Sequence, residues 1–367
     1  MQRDVVVMGG GPAGIATAIA ARLKGLRVAV IDLRKPPIDK PCGEGLLPPA
    51  VVALSQLGIQ LGAERAFPFS GFSFFDENSF ASARILTGRA FGVRRTVFHR
   101  LLVDRASDLG VTFLWSTRVV RLDSGGVETS AGFLPCRWLV GADGSVSTVR
   151  RSAGLEPHGR SRFRFGFRRH YEIAPWTDGV EVHWGEKCQL VVTPTGQSEV
   201  CLSFFTSNPQ LRLDRAVERF PAVARRVAGT RPTSVESGAV TFLRRARAVV
   251  KGNLALVGDA SCTVDGIAGQ GLSLAFQQAI ELAEALARGD LAHYAAAHSR
   301  IARAPVLTTR LLLAMNASSC LRGKVLRLMV QRPALFAKMI SIHTGESSPE
   351  AFDAAEMLSL GWRVMWA

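Results

Sequence analysis

The sequence has none of the cysteine patterns that secreted or zinc-binding proteins carry. No two cysteines form a C-x-x-C pair or share a regular spacing; they are Cys42, Cys136, Cys188, Cys201, Cys262 and Cys320. Scattered cysteines indicate reduced thiols, so we predict a cytoplasmic protein. Metal-ligand spacings and a Ser/His/Asp arrangement are missing too, which argues against a metal site and against hydrolysis.

Long uncharged runs are also missing. No apolar stretch of about eighteen residues, the length that a membrane span requires, is free of charges or clustered glycines, so we expect no spanning helix. The chain enters an apolar strand and a glycine motif at once, which leaves no room for a signal peptide. The formal net charge of +15 is not arranged as basic runs interleaved with aromatics, so we predict no nucleic-acid partner.

A dinucleotide-binding pattern opens the chain. The apolar run 5–8 has the length of a buried parallel strand and ends at Gly9-x-Gly11-x-x-Gly14. In this fingerprint Gly9 allows a tight turn, Gly11 admits a pyrophosphate and Gly14 lets helix and strand pack closely. Pro12 suits the first position of the following helix, whose N-terminus attracts phosphate.

A second strand, 28–31, ends in Asp32. This carboxylate follows the glycines at the distance where an acid accepts hydrogen bonds from a ribose hydroxyl. Strand, helix, second strand and acid in register predict a bound adenine dinucleotide.

The rest of the chain alternates between the two periodicities. Helices are predicted over 49–57, 95–109, 213–227 and 272–287, and helical patterns fill 291–343. A period of two predicts an antiparallel sheet over 163–205. The Pro- and Gly-rich stretch 40–47 is predicted to be a functional loop.

Three motifs in order resemble one flavoprotein superfamily. They are the N-terminal fingerprint with Asp32, Gly141-Ala-Asp-Gly144 with Arg150, and Gly258-Asp259 with Gly269-x-Gly271. Together, over about residues 1–290, they resemble para-hydroxybenzoate hydroxylase, the geranylgeranyl reductases and the flavin-dependent halogenases. The resemblance implies non-covalent FAD as cofactor, with NADH or NADPH as a transient reductant.

The resemblance also implies an α/β fold. A Rossmann-like FAD-binding domain with a parallel sheet, of the GR2 type, is expected over 1–67, 91–155 and 250–290. An inserted antiparallel sheet over 68–90 and 156–249 is expected to bind the substrate, and a helical region is expected over 291–367. The substrate cavity is expected between the FAD domain and that sheet; no oligomeric state is predicted.

Cofactor contacts follow position by position from the same resemblance. The implied positions are Gly9, Gly11, Pro12, Ala13, Gly14, Asp32, Leu33, Cys42, Gly43, Arg95, Val119, Asp143, Asp259, Gly269, Gly271 and Leu272. In the family, Arg95 matches a residue near the FAD phosphate and ribityl region, Val119 an adenine contact and Asp259 a ribityl contact. The turn 269–272 would lie against the isoalloxazine, and Asp143 is expected to contribute structurally.

Catalytic side chains are less well marked. Cys42 matches a cysteine in the Cys-Gly of geranylgeranyl reductases and is a candidate, with a plain buried thiol as the alternative. Glu44 either caps its loop or has a chemical role. Candidates at the cavity are His170, Tyr171, His183 and Trp184; of these, His183 beside Glu181 is the candidate base.

Three chemistries share this family. Halogenases need a strand lysine and a W-x-W-x-I-P motif, and both are absent here, the matching stretch 68–75 having no lysine. Reductases carry an aromatic strand motif of which 191–194 keeps only Pro194. We therefore favour a monooxygenase that hydroxylates an apolar or aromatic small molecule through a flavin C4a-hydroperoxide. The alternatives are a C=C reductase or dehydrogenase of the geranylgeranyl reductase type and a flavin-binding protein without turnover.

The stretch 291–345 carries charge of one sign only. It has no Asp or Glu, and its basic residues are Arg300, Arg303, Arg310, Arg322, Lys324, Arg327, Arg332 and Lys338. We expect these helices to pack on the FAD domain and cover the cavity. The alternative is peripheral attachment to the anionic inner face of a membrane, which would give access to an apolar substrate in lipid.

Overall fold

The computed structural model describes residues 3–77, 79–157, 159 and 162–347. Its strands are β1 (Arg3–Met8), β2 (Val28–Asp32), β3 (Gly45–Leu46), β4 (Phe67–Phe69), β5 (Gly71–Asp76), β6 (Ser79–Arg84), β7 (Ala90–Gly92), β8 (Thr112–Trp115), β9 (Val119–Asp123), β10 (Gly126–Thr129), β11 (Gly132–Gly141), β12 (Arg164–Glu172), β13 (Val180–Gly185), β14 (Cys188–Gly196), β15 (Glu199–Thr206), β16 (Ser237–Thr241), β17 (Arg244–Arg245), β18 (Val250–Lys251), β19 (Leu254–Leu256) and β20 (Cys262–Thr263).

The helices follow the same order along the chain. They are α1 (Pro12–Leu23), α2 (Pro48–Gln56), α3 (Arg95–Asp108), α4 (Thr148–Ser152), α5 (Leu213–Val217), α6 (Pro221–Val227), α7 (Gly271–Arg288), α8 (Leu291–Ala317), α9 (Ser319–Gln331) and α10 (Pro333–His343). Short 3-10 helices cover Gly258–Ala260 and Gly266–Ala268.

A sheet with a parallel centre holds the N-terminal fingerprint. Its order is β18-β19-β11-β1-β2-β8, with β9 and β10 joined to β11 by antiparallel pairs. β1 lies between β11 and β2, both parallel to it, and Val5, Val6 and Val7 are fully buried. A strand covered on both faces must be apolar throughout, which is why 5–8 shows no alternation.

The second sheet alternates its faces. Its order is β16-β12-β15-β14-β13-β5-β6, antiparallel except between β13 and β5. One face, here called the cavity face, includes Val180, Val182 and Val191; the other, the far face, packs Leu190 and Val192 into a core with α5 and α6. The predicted α/β class with a parallel sheet, an antiparallel sheet and C-terminal helices is confirmed.

One predicted helix is wrong in extent. The stretch 213–227 forms two helices, because Pro221 starts α6 and its ring has no N–H to continue the turn from α5.

The C-terminal helices α8–α10 cover the cavity face of the second sheet. Met315, Phe336 and Ile340 belong to one buried cluster with Val180 and Val182. In the described part of the chain no helix is both long and apolar enough to cross a membrane. The predicted helical region extends to 367, and its end, 348–367, lies outside the described residues.

Candidate active site

A large cavity runs between the two sheets and under the C-terminal helices. Its volume is about 1460 Å³, and most of its wall is apolar. Every predicted cofactor position except Gly14 lines it, and so do Val180, Val182 and Val191 of the second sheet and Met315 of α8. The tertiary fold therefore brings the three sequence motifs and the second sheet to one space.

The glycine turn has the shape that a pyrophosphate requires. Gly9 has φ +119°, and a Cβ placed on it would lie 2.3 Å from the Ala142 carbonyl oxygen. A Cβ on Gly14 would lie 1.9 Å from the Gly9 carbonyl oxygen, so Gly14 serves helix packing and not the cavity wall. A Cβ on Gly11 would meet nothing within 4 Å, so at that point the backbone is open to a ligand.

Asp32 is oriented by two backbone N–H groups. Its Oδ2 accepts from Gly10 N at 2.7 Å and its Oδ1 from Arg34 N at 2.8 Å. These bonds fix the carboxylate at the cavity wall. A carboxylate has further lone pairs, which leaves it able to accept from ribose hydroxyls.

Arg95 is a buried cation at the start of α3. It is 8% exposed and lines the cavity, and its Nε has no partner among the described residues. An unpaired buried guanidinium donor needs an acceptor, and phosphate oxygens are suited to it. Together with the open backbone at Gly11, this shows that the residues present fit FAD.

Asp143 and Asp259 differ in their contacts. The carboxylate of Asp143 accepts from Thr148 N at 2.7 Å and Val149 N at 3.1 Å, so it caps α4. Asp259 lies 3.2 Å from Lys40 Nζ, and both line the cavity. This pairing of Lys40 with Asp259 was not predicted, because 219 residues separate them in the chain.

The most highly connected side chain in the site is Glu44. It is 1% exposed, and its Oε1 accepts from Arg168 Nη1 at 2.9 Å and from Arg95 N at 3.1 Å. Its Oε2 lies 2.5 Å from His170 Nε2. Arg168 also donates to both oxygens of Asp39, at 3.0 and 2.9 Å. The loop that begins at Asp39 is thereby joined to β12.

The four cavity candidates from the sequence do not line the described wall. His183 and Tyr171 lie on the far face; His170 and Trp184 lie on the cavity face but are buried beneath other side chains. His183 bonds Glu181 at 2.9 Å and stacks on Phe75, with ring centroids 4.5 Å apart. A base on the cavity substrate is therefore not supported at His183, because strand alternation turns it away.

Cys42 does line the cavity. Its Sγ accepts a hydrogen bond from Glu44 N at 3.4 Å, within the same loop. Its thiol therefore faces the space where the reaction would occur, and a chemical role for it stays a prediction.

Glu44, His170 and Cys201 lie close enough to share a metal ion. Two observations argue against that use. Burial and the neighbouring Glu44 raise the pKa of Cys201 well above its usual value, so the thiol keeps its proton. The Arg168 guanidinium already pairs with Glu44 and would repel a cation.

Two histidines belong to the site without any sequence signal. His99 bonds the Gly10 carbonyl at 2.8 Å, and burial lowers its pKa, which favours the neutral ring. His343 lines the cavity from the end of α10, and burial lowers its pKa to about 4. Neither belongs to a motif, so only the fold reveals them; Glu44, between two glycines in a predicted functional loop, did carry a signal.

Comparisons with known proteins agree with this geometry. A family model described as "FAD binding domain" matches residues 2–292. Menaquinone reductase of Mycobacterium tuberculosis is 30% identical over 322 residues, covering 79% of this chain and 78% of the relative. Para-nitrophenol 4-monooxygenase of a Pseudomonas species is 28% identical and covers 77% of each chain.

Solved structures show the same fold. Flavin-dependent brominase Bmp2 superposes with a TM-score of 0.78 at 20% identity, covering 94% of both chains. PqsL of Pseudomonas aeruginosa, a probable FAD-dependent monooxygenase, superposes with a TM-score of 0.72 at 20% identity, covering 87% of this chain and 97% of that one. At these identities the likeness concerns fold alone.

Proposed function

The chain belongs to the FAD binding domain family, and on this basis we propose that it is an NAD(P)H-dependent monooxygenase of an apolar small molecule. Family membership makes it an FAD-dependent oxidoreductase. The observation that carries the finer proposal is a single cavity that joins the glycine turn to apolar side chains of the second sheet and of α8–α10. A substrate seated there would lie beside the cofactor and away from water.

When bound, FAD takes electrons from a reductant and activates dioxygen for transfer of one oxygen atom. The overall reaction would convert a substrate C–H bond, O2, NAD(P)H and a proton to C–OH, water and NAD(P)+. The chain itself contributes the pyrophosphate turn, the Arg95 cation and the apolar wall. Phe72, Phe74 and Met315 in that wall exclude water, which would otherwise divert the oxygen chemistry.

A second candidate is reduction of a C=C bond in an apolar substrate. It is favoured by the similarity to menaquinone reductase and by Cys42 on the cavity wall. The absence of the aromatic strand motif in 191–194 counts against it. In that case the substrate would gain two hydrogens and dioxygen would not be consumed in forming the product.

Isotope labelling distinguishes the two candidates. The holoenzyme is supplied with NADH or NADPH and labelled dioxygen, with a long-chain alkylphenol and a polyprenyl quinone as separate probes. Hydroxylation predicts one labelled oxygen atom in the product. A product that gains two hydrogens under anaerobic conditions would instead establish the reductase.

We also propose that α8–α10 contact an anionic membrane surface at the cavity. Leu307 and Leu311 both line the cavity and are exposed, at 54% and 37%, and Arg310 beside them is exposed. Such a mouth would admit an apolar substrate from lipid.

A further inference from the structure

The backbone of Glu44 has a conformation that side chains rarely adopt. Its φ is +60°, the left-handed region, which costs roughly 1–2 kcal/mol for a residue other than glycine. Glu44 lies between Gly43 and Gly45, either of which would take this conformation more easily. A glutamate kept in such a place must be held there by its contacts.

Those contacts come from three separate parts of the chain. The side chain accepts from Arg168 of β12 and from the backbone N–H of Arg95 at the start of α3, and it meets His170 of β12. Its own carbonyl accepts from Val93 N at 2.9 Å. One carboxylate thus joins the loop, the Arg95 helix start and the second sheet.

The network is charged as well as buried. The side chains of Glu44 and Arg168 are 0% and 4% exposed, and Arg168 makes a two-bond pair with Asp39 at the beginning of the loop. Asp39 and Glu44 flank Cys42 and Gly43, which line the cavity at predicted cofactor positions. Both ends of this cofactor-facing segment are therefore fixed to the same guanidinium.

We infer that Glu44 is a positioning residue that sets the affinity for FAD. Through Arg168 and Arg95 N it holds the segment 39–45 and the Arg95 helix start in the shape that receives the cofactor. It also makes the cofactor site depend on the position of the substrate sheet. The inference does not depend on whether the bound substrate is hydroxylated or reduced.

The test is FAD binding by apoprotein that carries Glu44→Gln. Loss of the charged acceptor should raise the Kd for FAD about tenfold to a hundredfold, as expected when one hydrogen bond to a charged group is lost. Quenching of FAD fluorescence during titration measures the Kd. Chemical unfolding of the same apoprotein measures its stability separately.

Glu181→Gln is the matched control. Glu181 is also buried and also bonds a histidine, but on the far face. It should lower apoprotein stability as Glu44→Gln does, yet leave the Kd for FAD within about twofold of wild type, because no cofactor position depends on it. An equal rise of the Kd in both variants, or in neither, would overturn the inference.

Glu44→Gly provides a second variant if the glutamine protein folds poorly. Glycine keeps the left-handed backbone at no cost and removes the whole side chain. We expect the same loss of FAD affinity and faster hydrogen exchange in 39–45. Wild-type affinity in Glu44→Gly would show that the loop does not need the carboxylate.

Discussion

Glutamate–histidine pairs occur on both faces of the second sheet, in different surroundings. On the far face, Glu181 and His183 share one strand, and Trp176 Nε1 donates to Glu181 at 3.0 Å. On the cavity face, His170 meets Glu44, which comes from a loop 126 residues away. The first pair was visible in the sequence as a candidate for catalysis, and the second was not.

The difference teaches that proximity in sequence favours the wrong pair here. Residues two apart on a strand share a face, so Glu181 and His183 were bound to meet. Which face they share is set by what packs on each side. The far face is covered by α5 and α6, whereas the cavity face meets the FAD loop. A pair becomes part of an active site through the surface it faces.

The largest expected effect separates adjacent arginines on the two faces. Arg168→Ala would leave the buried Glu44 carboxylate without its guanidinium, which costs about 3–5 kcal/mol of unfolding free energy. Arg169→Ala removes a pair with Asp214, whose side chain is 70% exposed, and should cost about 1 kcal/mol or less. Urea unfolding of both apoproteins measures the difference. Equal losses would contradict the contrast between the faces.

Neighbouring valines on β14 give a smaller effect and test the faces for substrate binding. Val192 is fully buried in the far-face core, so Val192→Phe should cost about 1–3 kcal/mol of stability by overpacking. Val191 lines the cavity, so Val191→Phe should change stability less but weaken binding of a long-chain alkylphenol. The probe is followed by its perturbation of the flavin absorption. Unchanged binding in Val191→Phe would remove this wall from the substrate site.

The smallest expected effect concerns the helices that cover each face. Arg310 lies on α8 at the cavity mouth and Arg225 on α6 over the far face, and both are exposed. If the mouth docks on anionic lipid, Arg310→Ala should weaken binding about fivefold, since one surface cation contributes about 1 kcal/mol. Arg225→Ala should change nothing. Flotation with anionic and neutral vesicles at low and high salt measures this; no binding to anionic vesicles at low salt would leave α8–α10 only a covering role.

The cofactor half of the site could be predicted because its signals are local. A tight turn, a close approach of backbone to phosphate and the start of a helix each require particular residues at fixed spacing, as at Gly9, Gly11 and Pro12. The Glu44 network could not be predicted. Its members come from a loop, a helix start and a strand, and no spacing rule connects them.

The sequence by itself determined the family, the cofactor and the α/β order of elements, because these depend on short-range backbone geometry and on periodic burial. Only the tertiary structure decided which face of the second sheet meets the cofactor loop, since the period of two leaves both faces available. It also placed His343 at the cavity and Glu44 against Arg168. Charges that distant parts of the chain bury together are chosen by packing, and packing is a property of the whole fold.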